Sequence, residues 1–134
     1  MRALVLVVCI VLWRISPASC TGCKSVDTFD FENFRGGGFN SGGVGGALDS
    51  MLFRAFGLSE GEGTFGQEHL SGDFARGIAT GPVSIGGVYA FDLGGADSDW
   101  AIGLQPTSSD LSPGGIEFRW TNQGRAAVES IQIG

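Results

Sequence analysis

A chain of 134 residues lies within the usual size of one domain, roughly 100 to 150 residues, and has room for a single hydrophobic core. Fourteen acidic residues against eight basic ones give a net charge of −6. Nucleic acid is excluded as a partner, because phosphate binding needs clustered Lys and Arg, whereas beyond the first twenty residues the cations stand apart at Lys24, Arg35, Arg54, Arg76, Arg119 and Arg125.

The N-terminus carries Arg2, an unbroken apolar run over residues 3–13 and then small residues. That is the layout of a secretory signal peptide, here residues 1–20. The run is too short for a membrane-spanning helix, which takes about 20 apolar residues, so no transmembrane anchor is expected. Cleavage after Ala18 puts Ser16 and Ala18 at the two governing positions, and cleavage after Cys20 is the other choice. Removal takes Arg2 and Arg14 and leaves a net charge of −8. Ala18, Ser19 and Cys20 also fit a bacterial lipobox with Cys20 as the lipidated residue, although Pro17 stands where an aliphatic side chain is expected. Localisation is therefore read as secreted, with a lipid anchor at the bacterial envelope as the alternative. Cys20 and Cys23 close a small disulfide in an oxidising compartment, or leave Cys23 free if Cys20 is lipidated. Zinc is not expected from one His and no second cysteine pair.

Residues 21–134 show short β-branched and aromatic runs broken by glycine, the pattern of an all-β domain. Strands are expected at 28–34 with Phe29 and Phe31 inward, at 50–58, at 73–78, at 87–93 and at 100–105. The clearest is IEFRWT at 116–121, which alternates Ile116, Phe118 and Trp120 with Glu117, Arg119 and Thr121. Residues 126–133 follow as its hairpin partner. The segment GGGFNSGGVGG at 36–46 reads as a flexible surface loop that contributes little to the core, and 58–72 reads as a second glycine-rich connection.

Within that connection, GEGTFG at 61–66 matches G-x-G-x-x-G. A kinase needs a second lobe and further motifs, and a dinucleotide fingerprint needs a following helix; neither pattern is present. The expected role of Gly61, Gly63 and Gly66 is a turn with positive backbone dihedrals. GGVGGALDS at 42–50 misplaces the aspartate of the calcium-binding nonapeptide and does not recur. His69 has no G-x-S-x-G elbow to serve and reads as an exposed loop residue. No catalytic set is nominated, and no enzyme is expected.

Two candidate sites remain. DLGGADSDW at 92–100 carries Asp92, Asp97 and Asp99 at a strand end, where carboxylates and carbonyls can hold Ca²⁺, against the simpler role of solvated turn formers. Trp100 and Trp120 can stack on a sugar, against the simpler role of core residues.

From residue 29 onward the order of motifs resembles an N-terminal module of secreted bacterial proteins, found in some of them ahead of lamin-tail, extracellular nuclease-like or surface-sorting domains. GDFARG at 72–77, GGVYAFD at 86–92, and the run through IGLQP to the F-x-W-x-N strand carry the likeness. The resemblance implies a secreted, jelly-roll-like antiparallel β-sandwich with no catalytic residues to transfer. It also implies strands beyond 133, so the domain reads as C-terminally truncated, with an open sheet edge ready for edge-strand association. Two functions follow as expectations. One is a non-enzymatic binding or structural module for polysaccharide or a surface protein. The other is the accessory N-terminal part of a secreted hydrolase of nuclease or phosphatase type.

Overall fold

The computed structural model describes residues 30–94, 99–119 and 121. They form an all-β chain of seven strands: β1 Phe39–Asn40, β2 Leu48–Asp49, β3 Phe53–Phe56, β4 Ile78–Ala79, β5 Gly87–Asp92, β6 Trp100–Gln105 and β7 Gly115–Phe118. Two short 3-10 turns, Val44–Gly46 and Gly72–Phe74, are the helical content of these residues. β5 and β6 make the longest ladder, antiparallel from the Gly87 and Gln105 pair to the Asp92 and Trp100 pair. β3 pairs antiparallel with β7.

The expectation of a purely antiparallel arrangement is corrected, because β1 runs parallel to β2 and β4 parallel to β5. Between β1 and β2 the chain makes a tight loop in which Gly42, Gly43, Gly45 and Gly46 all take positive φ. Those bends carry it round to run alongside β1 in the same direction, where a two-residue hairpin turn would have reversed it.

The expectation for residues 36–46 is corrected as well. A largely exposed glycine-rich loop holds for residues 41–45, but residues 36–40 are threaded between two other segments. Gly37 N–H donates to Gly46 O at 3.0 Å and Leu48 N–H to Gly38 O at 2.8 Å on one side. On the other, Phe39 and His69 exchange both backbone bonds at 2.9 Å, and Gly77 N–H donates to Gly36 O at 3.0 Å. Phe39, only 2% exposed, lies in the core with its ring edge-on to Phe74. Gly36 and Gly38 take positive φ, and a Cβ on either would strike the carbonyl of Gly77 or His69. Composition signals the glycines but not that they serve backbone contact.

Sequence expectations for β5 and β6 coincide with the strands to within one residue. The region expected at 50–58 narrows to β3, and 73–78 becomes the Gly72–Phe74 turn followed by β4. Over 30–34 there is a turn in place of a strand, closed by Phe34 N–H to Phe31 O at 2.9 Å. That turn still buries Phe31 and Phe34, since residues three apart share a side of it. In β7 the alternation holds at Ile116, packed against the core, and at Glu117, which pairs with Arg54 across the ladder. Phe118 meets the Phe53 ring at 5.0 Å yet is 45% exposed at the ladder's end. Phe29, Trp120 and the strand expected at 126–133 lie outside the described residues.

The core joins Phe31, Phe34, Phe39, Phe53 and Phe74 to the inward row Val88 and Ala90 of β5, with Trp100, Ile102 and Leu104 of β6 beside them. Each large buried side chain contributes about 1.5–3 kcal/mol. On the opposite face of the β5–β6 ladder, the Phe91 ring lies against the bare backbone of Gly103, where any Cβ would collide with it.

Glycines of one backbone conformation but different surroundings separate the two physical effects. Gly45 has positive φ and nothing within 4 Å of a built Cβ, so Gly45→Ala is expected to cost about 1–2 kcal/mol from backbone strain alone. Gly36→Ala and Gly38→Ala add a main-chain collision and are expected to cost more than about 3 kcal/mol. Urea denaturation of the three variants measures the difference.

Candidate functional site

The open end of the β5–β6 ladder gathers most of the described residues singled out from sequence. Because partners in an antiparallel ladder project on the same face, the pairing of Asp92 with Trp100 sets an exposed carboxylate beside a half-buried indole. Asp92 Oδ1 accepts the Gly94 N–H at 2.9 Å, and Leu93 N–H donates to Asp99 O at 2.9 Å, which closes the end of the hairpin. Asp99 is exposed. Asp97 and Trp120, together with Cys20 and Cys23, lie outside the described residues. Among the described residues no group of three or more His, Cys, Asp or Glu side chains forms a metal-binding cluster.

Trp100 packs against the core, and its Nε1 is buried without a hydrogen-bond partner. The Arg35 guanidinium lies 3.9 Å from the ring centroid. It is held there by Nη1 donating to Glu32 O at 2.6 Å and Phe34 O at 2.8 Å. Such a cation over an indole is worth about 0.5–2 kcal/mol. A ligand therefore meets a guanidinium-capped ring, not a bare platform. Arg35 was not foreseen from sequence, since it is separated from Trp100 by most of the domain and only folding brings them together.

A second cluster, also unforeseen, surrounds the connection that contains GEGTFG. Asp73, 0% exposed, accepts through Oδ2 from the Ser59 hydroxyl at 3.2 Å and the Glu60 N–H at 2.8 Å. Asp110, 6% exposed, accepts the Ser59 N–H at 2.8 Å and the Thr107 hydroxyl at 3.0 Å. Two buried carboxylates thus fasten one loop to the Gly72–Phe74 turn and to the segment before β7. Gly86 passes so close to Asp110 that a Cβ there would overlap its carboxylate. The sequence signal was present in GDFARG and in SSDLSPG, where an acid stands among turn residues; nothing local indicated burial.

Within GEGTFG itself, Gly61 and Gly66 take positive φ as expected. Gly63 does not. It is buried, its N–H donates to Ala55 O at 2.9 Å, and the missing side chain is what lets the loop lie on β3. His69 is half-buried, not exposed, with its ring stacked 4.2 Å from Phe74 and Nε2 enclosed without a partner. An open groove of about 190 Å³ beside Phe31, Leu48, Leu52 and Phe53 includes none of the residues nominated from sequence.

No protein-family model matches the chain, and no curated protein or solved structure matches it. No helix among the described residues is long and apolar enough to cross a membrane.

Hydrogen bonds from the Ser59 side chain and backbone, aided by Thr107 and Asp73, outweigh burial and hold the Asp110 carboxyl below its ordinary value of 3.8. The unfolded chain binds that proton more readily, so this carboxylate stabilises the fold above about pH 4. Its contribution is lost as pH falls below that point through the depressed folded value. Asp110→Asn is expected to cost about 1–3 kcal/mol at neutral pH and to flatten the acid limb of stability, read by chemical unfolding between pH 2 and 7 (about the span over which a carboxylate titrates) in metal-free buffer.

Proposed function

We propose that the chain is a secreted or surface-associated, non-enzymatic recognition module with a jelly-roll-like sandwich, and that it binds polysaccharide at the open end of the β5–β6 ladder. The observation that carries this reading is the register that sets Asp92 beside Trp100, with Arg35 over the indole. Sugars present apolar C–H faces and hydroxyl edges together, and sites for such ligands combine an aromatic surface with a few placed polar groups. Here the half-buried, guanidinium-capped indole is the aromatic group, and the carboxylates of Asp92 and Asp99 with the Arg35 guanidinium are the polar ones.

Secretion is supported by the leader-like residues 1–20, and the sandwich by the all-β order and by the likeness to secreted bacterial modules. The non-enzymatic reading is supported by the use made of the buried acids. Asp73 and Asp110 spend their lone pairs on backbone and hydroxyl donors that hold loops in place.

Retention on an array of immobilised polysaccharides, read beside thermal melts, tests the proposal. Trp100→Ala and Asp92→Asn are expected to weaken retention at least about tenfold, a loss of about 1.4 kcal/mol, while the folded fraction stays above nine-tenths by circular dichroism, roughly the level for stability above 1.4 kcal/mol. Retention on no glycan, or equal retention by folded variants, would sink the sugar-binding reading.

A further inference from the structure

The groove beside Phe31 and Phe53 shares no residue with the ladder end and offers about 190 Å³. Sites for drug-sized ligands run to about 300–1,000 Å³, so it admits one small group. Its apolar wall is formed where the Phe31 and Phe53 rings meet edge-on at 5.9 Å, with Leu48 and Leu52 beside them. Its charged lining is purely acidic. Asp30 and Asp49 both contribute, and no Lys, Arg or His stands among the lining residues. The acids lie on the solvent side, since Asp30 is exposed and Asp49 half-buried, whereas Phe31 and Phe53 are each 8% exposed. Neither acid has an ion pair among the described residues, where the only bridge joins Arg54 to Glu117. Asp49 spends Oδ1 on the Gly42 and Met51 N–H groups at 3.2 and 2.9 Å, and Asp30 spends Oδ1 on the Glu32 N–H at 3.3 Å. The two cations adjoining the lining in sequence are committed elsewhere. Arg35 serves the Trp100 ring and the carbonyls of Glu32 and Phe34, and Arg54 serves Glu117.

We propose that this groove binds a small, soluble quaternary ammonium compound of the choline type, with its methyl groups against Phe31, Leu52 and Phe53 and its charge answered by Asp30 and Asp49. An anion would meet two carboxylates and no cation. A primary ammonium has three N–H donors to satisfy, and the phenylalanine and leucine side chains offer no acceptor. A methylated ammonium carries charge without donors. Its methyl groups gain by leaving water for an apolar wall, and phenyl rings attract such a cation within about 6 Å of their centroids. The two acids then supply the countercharge that the rings lack.

The same charges set the form of the ligand. Phosphocholine would bring its phosphate up to Asp30 and Asp49, with the exposed Glu32 two residues along from Asp30, and like charges so placed repel. The far end of choline is an uncharged hydroxyl. A free choline-type compound is therefore favoured over a phosphocholine head group. The site is independent of the polysaccharide reading, because Asp92, Asp99 and Trp100 take no part in its lining.

Isotope-labelled protein is titrated at constant ionic strength with choline chloride, with phosphocholine, or with the neutral analogue in which carbon replaces the ammonium nitrogen, and amide shifts are followed by NMR. Choline is expected to bind with a Kd on the order of 1 mM, in keeping with so small a ligand, and to move the signals of Phe31, Leu52 and Phe53. Phosphocholine and the neutral analogue are each expected to bind at least about threefold more weakly. Asp30→Asn and Asp49→Asn keep an amide oxygen for the N–H groups that these acids accept but remove the charge, and each is expected to weaken choline binding about threefold. Comparing choline with its neutral analogue needs no variant, so the test stands even if Asp49→Asn does not fold. The proposal is overturned if choline gives no saturable shifts, as it would if the groove were already filled, or if the shifts centre on Trp100. It is equally overturned if the neutral analogue or phosphocholine binds as tightly as choline, or if folded Asp30→Asn and Asp49→Asn bind choline as the parent does.

Discussion

The fold rests on backbone meeting backbone at residues 36–40. This short stretch bonds to 46–50 on one flank and to His69 and Gly77 on the other, so it acts as a central rung although β1 is only two residues long. The contact requires that Gly36 and Gly38 have no side chain, because a Cβ at either would lie inside the bonding distance of a facing carbonyl. Once it forms, Phe39 is carried into the core against Phe74, and His69 is drawn on to the same ring. The segment that composition marks as loosest thereby becomes one of the most constrained.

Polar groups take over where strands are short. With ladders of two to six residues, backbone pairing alone leaves long connections without support. Asp73 and Asp110 supply it by accepting the N–H and hydroxyl groups of Ser59 and Glu60. Buried carboxylates are an expensive way to hold a loop, and their cost is offset here by the donors of Ser59, Glu60 and Thr107. The ladder end formed by Asp92, Asp99 and Trp100 differs in kind. Its acids are exposed and solvated, and its one strong constraint is the Arg35 guanidinium on the indole.

Legibility from sequence followed the range of the interactions involved. β5 and β6 were readable because VYAFDL and WAIGLQ carry their strand preference within six residues, and a ladder between chain neighbours needs no distant partner. β7 was readable from its own alternation, down to the outward Glu117, but its ladder partner β3 lies far earlier in the chain and was not. The turn at 30–34 was not, since Phe31 and Phe34 fit either a strand or a turn until Phe53 is present to pack against. Parallel pairing of β1 with β2 and β4 with β5 was not readable either, because it depends on where glycine bends return the chain. Of the candidate site, Trp100 and its acidic neighbours were legible as a local cluster. Arg35, Ser59, Asp73 and Asp110 were not, as their roles come from contacts tens of residues apart.

Sequence by itself determined the all-β class, the acidic surface and the location of the longest strands, because alternation, composition and charge are local properties of the chain. Tertiary structure alone decided which glycines are flexible and which are buried contacts, and which of the fourteen acids are solvated and which are enclosed. The physical reason is that a missing Cβ or a carboxylate acquires its energy from what stands opposite it. Position opposite is a property of the fold.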